Sequence, residues 1–228
     1  MKKWTVLAMV MAFLLSVAVG TGPALAAQTG TVTVVHGVPG LTVDVYVNGA
    51  LALPNFAPFT VTEPLQLPEG NYDIVVVPAG GDPANPAISG SAYLPAGANV
   101  SIVAHLTAAG APTLSVYVND LSNIDPGKSR LVVRHDAAAP AVDVKLARPG
   151  MGGEKSAAIL RNLSNPNEVS ADVRPGRYNA SLAPAGSDQT VFGPAPLRLK
   201  PGMVKIVYAV GSIGDGTFTL LTQTIKAR

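Results

Sequence analysis

The chain has 228 residues, no cysteine, and a formal net charge of +2 from 16 Lys or Arg and 14 Asp or Glu. The lack of cysteine excludes disulfides, thiol catalysis and thiolate metal sites. The 20 Pro and 23 Gly interrupt the chain too often for long helices, so the composition favours short strands joined by turns.

The first 27 residues have the pattern of a secretory signal peptide. Lys2 and Lys3 form a positive start, Val6 to Val19 is apolar, and Ala24-Leu25-Ala26 is a small-residue cleavage site. The apolar run is shorter than the roughly 20 residues that cross a bilayer as a helix. We therefore predict a signal peptide over 1–27 and a secreted or envelope-associated mature chain without a transmembrane segment. An uncleaved anchor is the alternative.

The rest of the chain contains two copies of one pattern. Val34-Val35-His36 recurs as Val133-Arg134-His135, and Gly70-Asn71-Tyr72 recurs as Gly176-Arg177-Tyr178. Each copy has about 100 residues, which is enough for a domain to fold on burial alone. We expect a first domain over 28–120, a linker over 121–129 and a second domain over 130–228.

Strand signals dominate both copies, and Asn48-Gly49 is a strong signal for a two-residue hairpin turn. Regularly spaced short strands predict an all-β chain of two tandem antiparallel β-sandwiches of the immunoglobulin or transthyretin-like kind, with seven or eight strands each. Glu154 to Asn162 is the one helix candidate, although it could instead be a strand. The predicted strands are Thr31–His36, Thr42–Asn48, Asn71–Val77, Asn99–Leu106, Thr113–Asn119, Arg130–His135, Ala141–Leu146, Arg177–Ala183, Met203–Val210 and Thr217–Ile225.

The two copies carry opposite charge. Residues 28–127 contain seven acids and no Lys or Arg, whereas residues 128–228 contain seven acids and 14 bases. The halves therefore have formal charges of −7 and +7. Such an asymmetry points to charged partners, or to contact between an acidic and a basic copy.

The opening of each copy resembles a known family. Val34-Val35-His36, a short Gly/Pro loop and Val43 to Gly49 are similar to the start of the domain of unknown function 4397 family. The second copy matches over Arg134 to Val144 and departs at Lys145 to Gly150, where the Tyr-Val-Asn-Gly hairpin is missing. The resemblance implies an exported β-sandwich module, often in tandem, with no established activity and no catalytic residues to assign.

Two polar pairs recur at the same spacing, His36 with Asp44 and His135 with Asp143. One interpretation is an acid/base pair or half of a metal site. The other is structural, with the histidine capping a loop and the aspartate holding a turn. A serine hydrolase site needs a positioned nucleophile, and no Gly-x-Ser-x-Gly occurs. A zinc site needs three or four ligands, so we predict no metal and no cofactor.

Arg198 and Lys200 alternate on a predicted strand and therefore share a face. They are candidates for an anion-binding patch. The acids interspersed among the bases, without aromatic residues between them, disfavour nucleic acid as a partner. An anionic envelope polymer or another copy of the chain fits better.

The sequence therefore predicts a non-catalytic binding or scaffolding module of the cell envelope or extracellular space. One alternative is a structural protein that self-associates through acidic-to-basic contacts. The other is a hydrolase that uses a His-Asp pair.

Overall fold

A computed structural model describes residues 28–149 and 156–228, except for the side chains of 156–158. The predicted signal peptide lies outside the described residues. Within them the chain is all-β and has no helix, so none of its segments is a helix long and apolar enough to span a bilayer. The predicted fold class is confirmed.

The first sandwich contains nine strands in two sheets. Sheet A has the order β4-β1-β8-β9, with β5 also paired to β1, and sheet B has the order β3-β2-β6-β7. The strands are β1 Thr29–His36, β2 Val43–Val47, β3 Ala50–Phe56, β4 Thr60–Val61, β5 Leu65–Pro68, β6 Gly70–Pro78, β7 Ile88–Leu94, β8 Asn99–Leu106 and β9 Pro112–Val118.

The described residues of the second sandwich form eight strands, also in two sheets. Sheet C has the order β13-β10-β16-β17, and sheet D has the order β12-β11-β14-β15. The strands are β10 Ser129–Ala138, β11 Val142–Ala147, β12 Ser156–Leu163, β13 Glu168–Val173, β14 Gly176–Pro184, β15 Phe192–Leu199, β16 Met203–Ser212 and β17 Thr219–Lys226.

The two sandwiches have the same strand order, with the short β4 and β5 taking the place of β13. All strand pairs are antiparallel except β1 with β8 and β10 with β16, which are parallel. These parallel pairs lie at the centre of sheets A and C. The sandwich prediction holds, and each sandwich adds one parallel pair to an otherwise antiparallel arrangement.

Local sequence explains several of these elements. Asn48 and Gly49 have φ angles of 49° and 78°, which is the left-handed conformation that a tight hairpin turn requires. They join β2 to β3 as predicted. The helix candidate at Glu154 to Asn162 is wrong for its described residues, because 156–163 form β12. Strand β12 pairs with β11 along its length. Its backbone groups therefore form hydrogen bonds to a neighbouring strand, whereas in a helix they would bond within the segment.

Three apolar clusters hold the molecule together. One lies between sheets A and B, and another lies between sheets C and D. The third lies between the sandwiches, where Val35 and Val103 of sheet A meet Val204, Ile206 and Val210 of sheet C. The layers therefore follow the order B, A, C, D. Sheets A and C are covered on both faces, and no other described part of the chain covers the outer faces of B and D.

Candidate functional site

His36 ends β1 and is 1% exposed. Its Nε2–H donates to the carbonyl oxygen of Leu41 over 2.8 Å, which closes the loop between β1 and β2. Burial lowers the pKa of His36, against the opposing effect of this hydrogen bond. The ring is therefore neutral near pH 7 and serves as a loop cap.

Asp44 lies on β2 and accepts two backbone hydrogen bonds. Its Oδ1 accepts from the N–H of Asn55 at 2.7 Å, and its Oδ2 accepts from the N–H of Gly80 at 2.8 Å. Asn55 and Gly80 both have positive φ, 51° and 75°. The carboxylate thus holds an irregularity in β3 and the turn after β6, and the two N–H donors lower its pKa.

The second sandwich repeats these contacts. His135 Nε2–H donates to the carbonyl oxygen of Pro140 at 2.9 Å. Asp143 accepts from the N–H of Asn162 at 2.8 Å and from the N–H of Gly186 at 3.1 Å. These donors lower the pKa of Asp143, with a smaller contribution from the guanidinium of Arg161.

Neither pair forms a hydrogen bond between its histidine and its aspartate in the described part of the chain. Both aspartates use their carboxylate oxygens on backbone donors, so neither is free to orient the imidazole. No three His, Asp or Glu side chains come together as a metal site among the described residues. The arrangement suits loop and turn support, and binding at His36, Asp44, His135 or Asp143 stays a prediction.

Arg198 lies on β15 of sheet D, and Lys200 directly follows the end of that strand. Both are exposed and alternate with the buried Leu197 and Leu199. Arg198 pairs directly across β14 with Arg177, which is also exposed. The three residues are exposed close together in sequence and strand pairing, and a shared anion-binding role for them stays a prediction. We call Arg177, Arg198 and Lys200 the basic face.

The contact between sheets A and C contains a buried arginine that we did not predict. Arg134 on β10 is 1% exposed. Its Nη2 donates to Asn119 Oδ1 at 2.7 Å, and its Nε donates to Glu168 at 2.8 Å. The guanidinium also lies 4.2 Å from the ring centroid of Tyr117, a cation–π distance. Arg134 thus links the second sandwich to Tyr117, which lies on β9, and to Asn119, which lies just after β9.

Asp136, two residues further along β10, is fully buried. Its Oδ1 accepts from the hydroxyl of Tyr117 at 2.6 Å, and His105 Nε2 lies 3.8 Å away. Burial raises the pKa of Asp136 to about 6, despite the opposing effects of Tyr117 and Arg134. One sequence signal pointed here: Arg134 and Asp136 interrupt an apolar strand at positions where the first copy has Val35 and Gly37.

One known family matches about half of the chain. Residues 30–145 match the family described as "Domain of unknown function (DUF4397)". This match covers the first sandwich and continues into β11 of the second. No curated protein matches the sequence.

Several solved structures align over most of the chain. The Bacillus anthracis TIE protein is 13% identical at a TM-score of 0.27, with 80% of this chain and 33% of that chain covered. A Bacteroides ovatus protein, provisionally described as a cell adhesion protein, is 10% identical at 0.31, with 90% and 99% covered. A streptococcal ancillary pilin is 10% identical at 0.26, with 77% and 60% covered. The chain thus spans a third of the first structure and about three fifths of the pilin.

Proposed function

Since the chain belongs to the DUF4397 family, a family of unknown function, we propose that it is a non-catalytic binding or scaffolding module outside the cytoplasm. The observation that carries the proposal is the basic face. Arg177 and Arg198 lie directly opposite each other on neighbouring strands. Like charges in this position repel, and an anionic partner would relieve the repulsion.

The surroundings of the basic face support an anionic partner. Among the described carboxylates, none forms an ion pair with Arg177, Arg198 or Lys200. Residues 28–127 contain no Lys or Arg at all. The Lys and Arg side chains that could bind a polyanion therefore belong to the second sandwich and the residues just before it. We propose an anionic envelope polymer as the partner.

The two His-Asp pairs support the non-catalytic part of the proposal. Both histidines donate to loop carbonyls, and both aspartates accept from backbone N–H groups. A hydrolase would need the histidine oriented toward a nucleophile. The same contacts in both sandwiches fit a requirement of the fold.

Charge removal on the basic face tests the binding proposal. We expect Arg198→Gln/Lys200→Gln to weaken retention on immobilised polyglycerol phosphate by about tenfold, because each exposed cation contributes up to about 1 kcal/mol at ordinary salt. Retention of the unaltered chain should also fall as salt rises. The measurement is the dissociation constant at two salt concentrations, with neutral dextran as the reference surface.

A matched control separates the basic face from overall charge. Ser89→Glu/Ser91→Glu changes the net charge by the same amount on exposed positions of β7 in the first sandwich. It should leave binding close to that of the unaltered chain. Equal retention of the unaltered chain and of Arg198→Gln/Lys200→Gln would remove the basic face as the polymer site.

Self-association is the second candidate, favoured by the order of the layers. Sheets A and C cover each other, which leaves sheets B and D free at opposite ends of the stack. Sheet B belongs to the acidic copy and sheet D to the basic copy. Contact between sheet B of one chain and sheet D of the next would be head-to-tail, and such contacts can continue into rings or filaments.

A further inference from the structure

The first sandwich encloses an apolar cavity of about 200 Å³ between sheets A and B. Its wall is mostly apolar: aliphatic residues such as Val34, Val45, Ile74, Val100 and Ile102 line it together with a few aromatic rings. An engineered apolar cavity of about 150 Å³ accepts benzene. The cavity in the first sandwich is therefore large enough for one six-membered ring with a small substituent.

Among the described residues of this wall, one buried polar atom has no hydrogen-bond partner. His36 lines the cavity, and its Nδ1 is buried with no hydrogen-bond partner among the described groups. Because Nε2 carries the proton donated to Leu41, Nδ1 is an acceptor. In the second sandwich, the matching His135 Nδ1 accepts from the N–H of Ala137 at 3.5 Å. The first sandwich alone keeps a spare acceptor here.

Small side chains explain the space. Ala92 pairs with Tyr72 in the first sandwich, and Leu197 pairs with Tyr178 at the same position in the second. By the same register, Phe192 takes the place of Ile88, a core residue outside the cavity lining, and packs edge-on against Phe218 at 4.7 Å between ring centroids. The fold itself therefore accepts larger residues at these positions, and the cavity is a feature of the first copy.

The cavity reaches the surface at one side of the sandwich. Strand β7 packs against β9 on one side, so β3 and β5 lie at the other. Ala52 of β3 and Leu65 of β5 both line the cavity and are both exposed. A ligand can approach between these two edge strands without separating the sheets along their centre.

We propose that the first sandwich binds a small amphiphile with an apolar ring or short alkyl body and a single hydroxyl. The apolar body lies between sheets A and B, and the hydroxyl donates to Nδ1 of His36. This site is independent of the basic face, because its walls come from the acidic copy. Burial keeps His36 neutral, as an acceptor at Nδ1 requires.

Phenol and benzene are the probes, titrated separately into the whole chain by calorimetry. We expect one saturable site for phenol, with methyl NMR shifts confined to the cavity residues. Phenol should bind about fivefold more tightly than benzene, since a net hydrogen bond contributes roughly 1 kcal/mol. Equal affinities would overturn the role of His36, and the absence of saturable binding for both probes would overturn the site.

Filling the cavity provides the variant test. Ala92→Leu introduces the residue that the second sandwich carries at this position, and we expect it to abolish phenol binding. Ala87→Leu adds the same volume at an exposed residue outside the cavity and should leave the affinity unchanged. If Ala92→Leu does not fold, the smaller Ala92→Val should still weaken binding. Unchanged affinity in the folded Ala92 variant would contradict the proposal.

Discussion

At the scale of single residues, two kinds of buried aspartate behave in opposite ways. Asp44 accepts two backbone N–H groups, which stabilise its charge and lower its pKa. Asp136 is fully buried beside the hydroxyl of Tyr117 and the ring of His105, and burial raises its pKa to about 6. Environment rather than residue type decides whether the carboxylate stabilises the folded chain at neutral pH.

Asp136→Asn should therefore change the pH dependence of stability. In the folded chain Asp136 keeps its proton up to about pH 6, whereas in the unfolded chain it loses the proton near pH 4. The folded state binds more protons in this window, so its free energy of unfolding falls as pH rises through it. Relative to the unaltered chain, Asp136→Asn should gain about 2 kcal/mol between pH 4 and pH 7, at 1.36 kcal/mol per pKa unit and with the unfolded carboxyl already partly ionised at pH 4.

Urea unfolding at a series of pH values measures this difference. Asp44→Asn is the control with the opposite sign, because its pKa is lowered and its contribution to stability is lost on acidification. A difference between Asp136→Asn and the unaltered chain that stays constant from pH 4 to pH 7 would show that Asp136 is charged throughout.

At the scale of elements, the central strands of sheets A and C are buried on both faces. Strand β8 is buried from Val100 to Leu106, and β16 is buried from Ile206 to Ser212. Their parallel partners β1 and β10 complete the contact between the sandwiches. Nearly continuous apolar sequence is the normal signature of strands covered on both sides.

The close approach of these elements requires a glycine at position 37. A Cβ on Gly37 would lie 2.6 Å from Cγ1 of Val210 in the second sandwich. We expect Gly37→Ala to lower the free energy of unfolding by about 1 to 3 kcal/mol, the usual cost of overpacking. Val210→Ala should relieve part of this cost in the double variant. Chemical denaturation of the four chains gives the coupling energy, and simple additivity would contradict the contact.

At the scale of the whole molecule, apolar and neutral polar contacts join the sandwiches more than opposite charges do. The hydroxyl of Tyr208 lies 2.8 Å from Ser101 Oγ, and Gln223 Nε2 donates to Thr33 Oγ1 at 2.8 Å. Arg130 with Asp120 is the one Arg-carboxylate pair between the basic copy and the acidic copy among the described residues. Most of the charge asymmetry therefore remains outside the contact and can act between molecules.

Self-association through sheets B and D should depend on salt. At low ionic strength we expect sedimentation velocity to show species larger than a monomer. The Debye length reaches tens of ångströms only at or below about 0.01 M salt, so charges on two molecules attract each other over that distance. The larger species should decline near 1 M salt and in Arg198→Gln/Lys200→Gln. A monomer at high protein concentration and low salt would rule out the head-to-tail contact.

The sequence by itself predicted all the central strands and the edge strands β9 and β17, because their interiors carry apolar or β-branched residues without Pro. The strands that it missed are all edge strands: β3, β4, β5, β7, β13 and β15, together with β12, which fell on the helix candidate. Several contain Pro, such as Pro54 and Pro194, which an edge tolerates because the missing N–H is not needed there. The recurring His-Asp pairs were also visible from the sequence, since both copies need the same side chains to support the same loop and turns.

Only the tertiary structure decided which faces of the two sandwiches are in contact and where the first sandwich contains a cavity. Arg134 is buried because Asn119 and Tyr117 come from the other sandwich, and Tyr208 meets Ser101 across 107 residues of sequence. The cavity depends on Ala92 facing residues of both sheets at once. Local propensity sets strands and turns, whereas burial depends on which distant faces pack together.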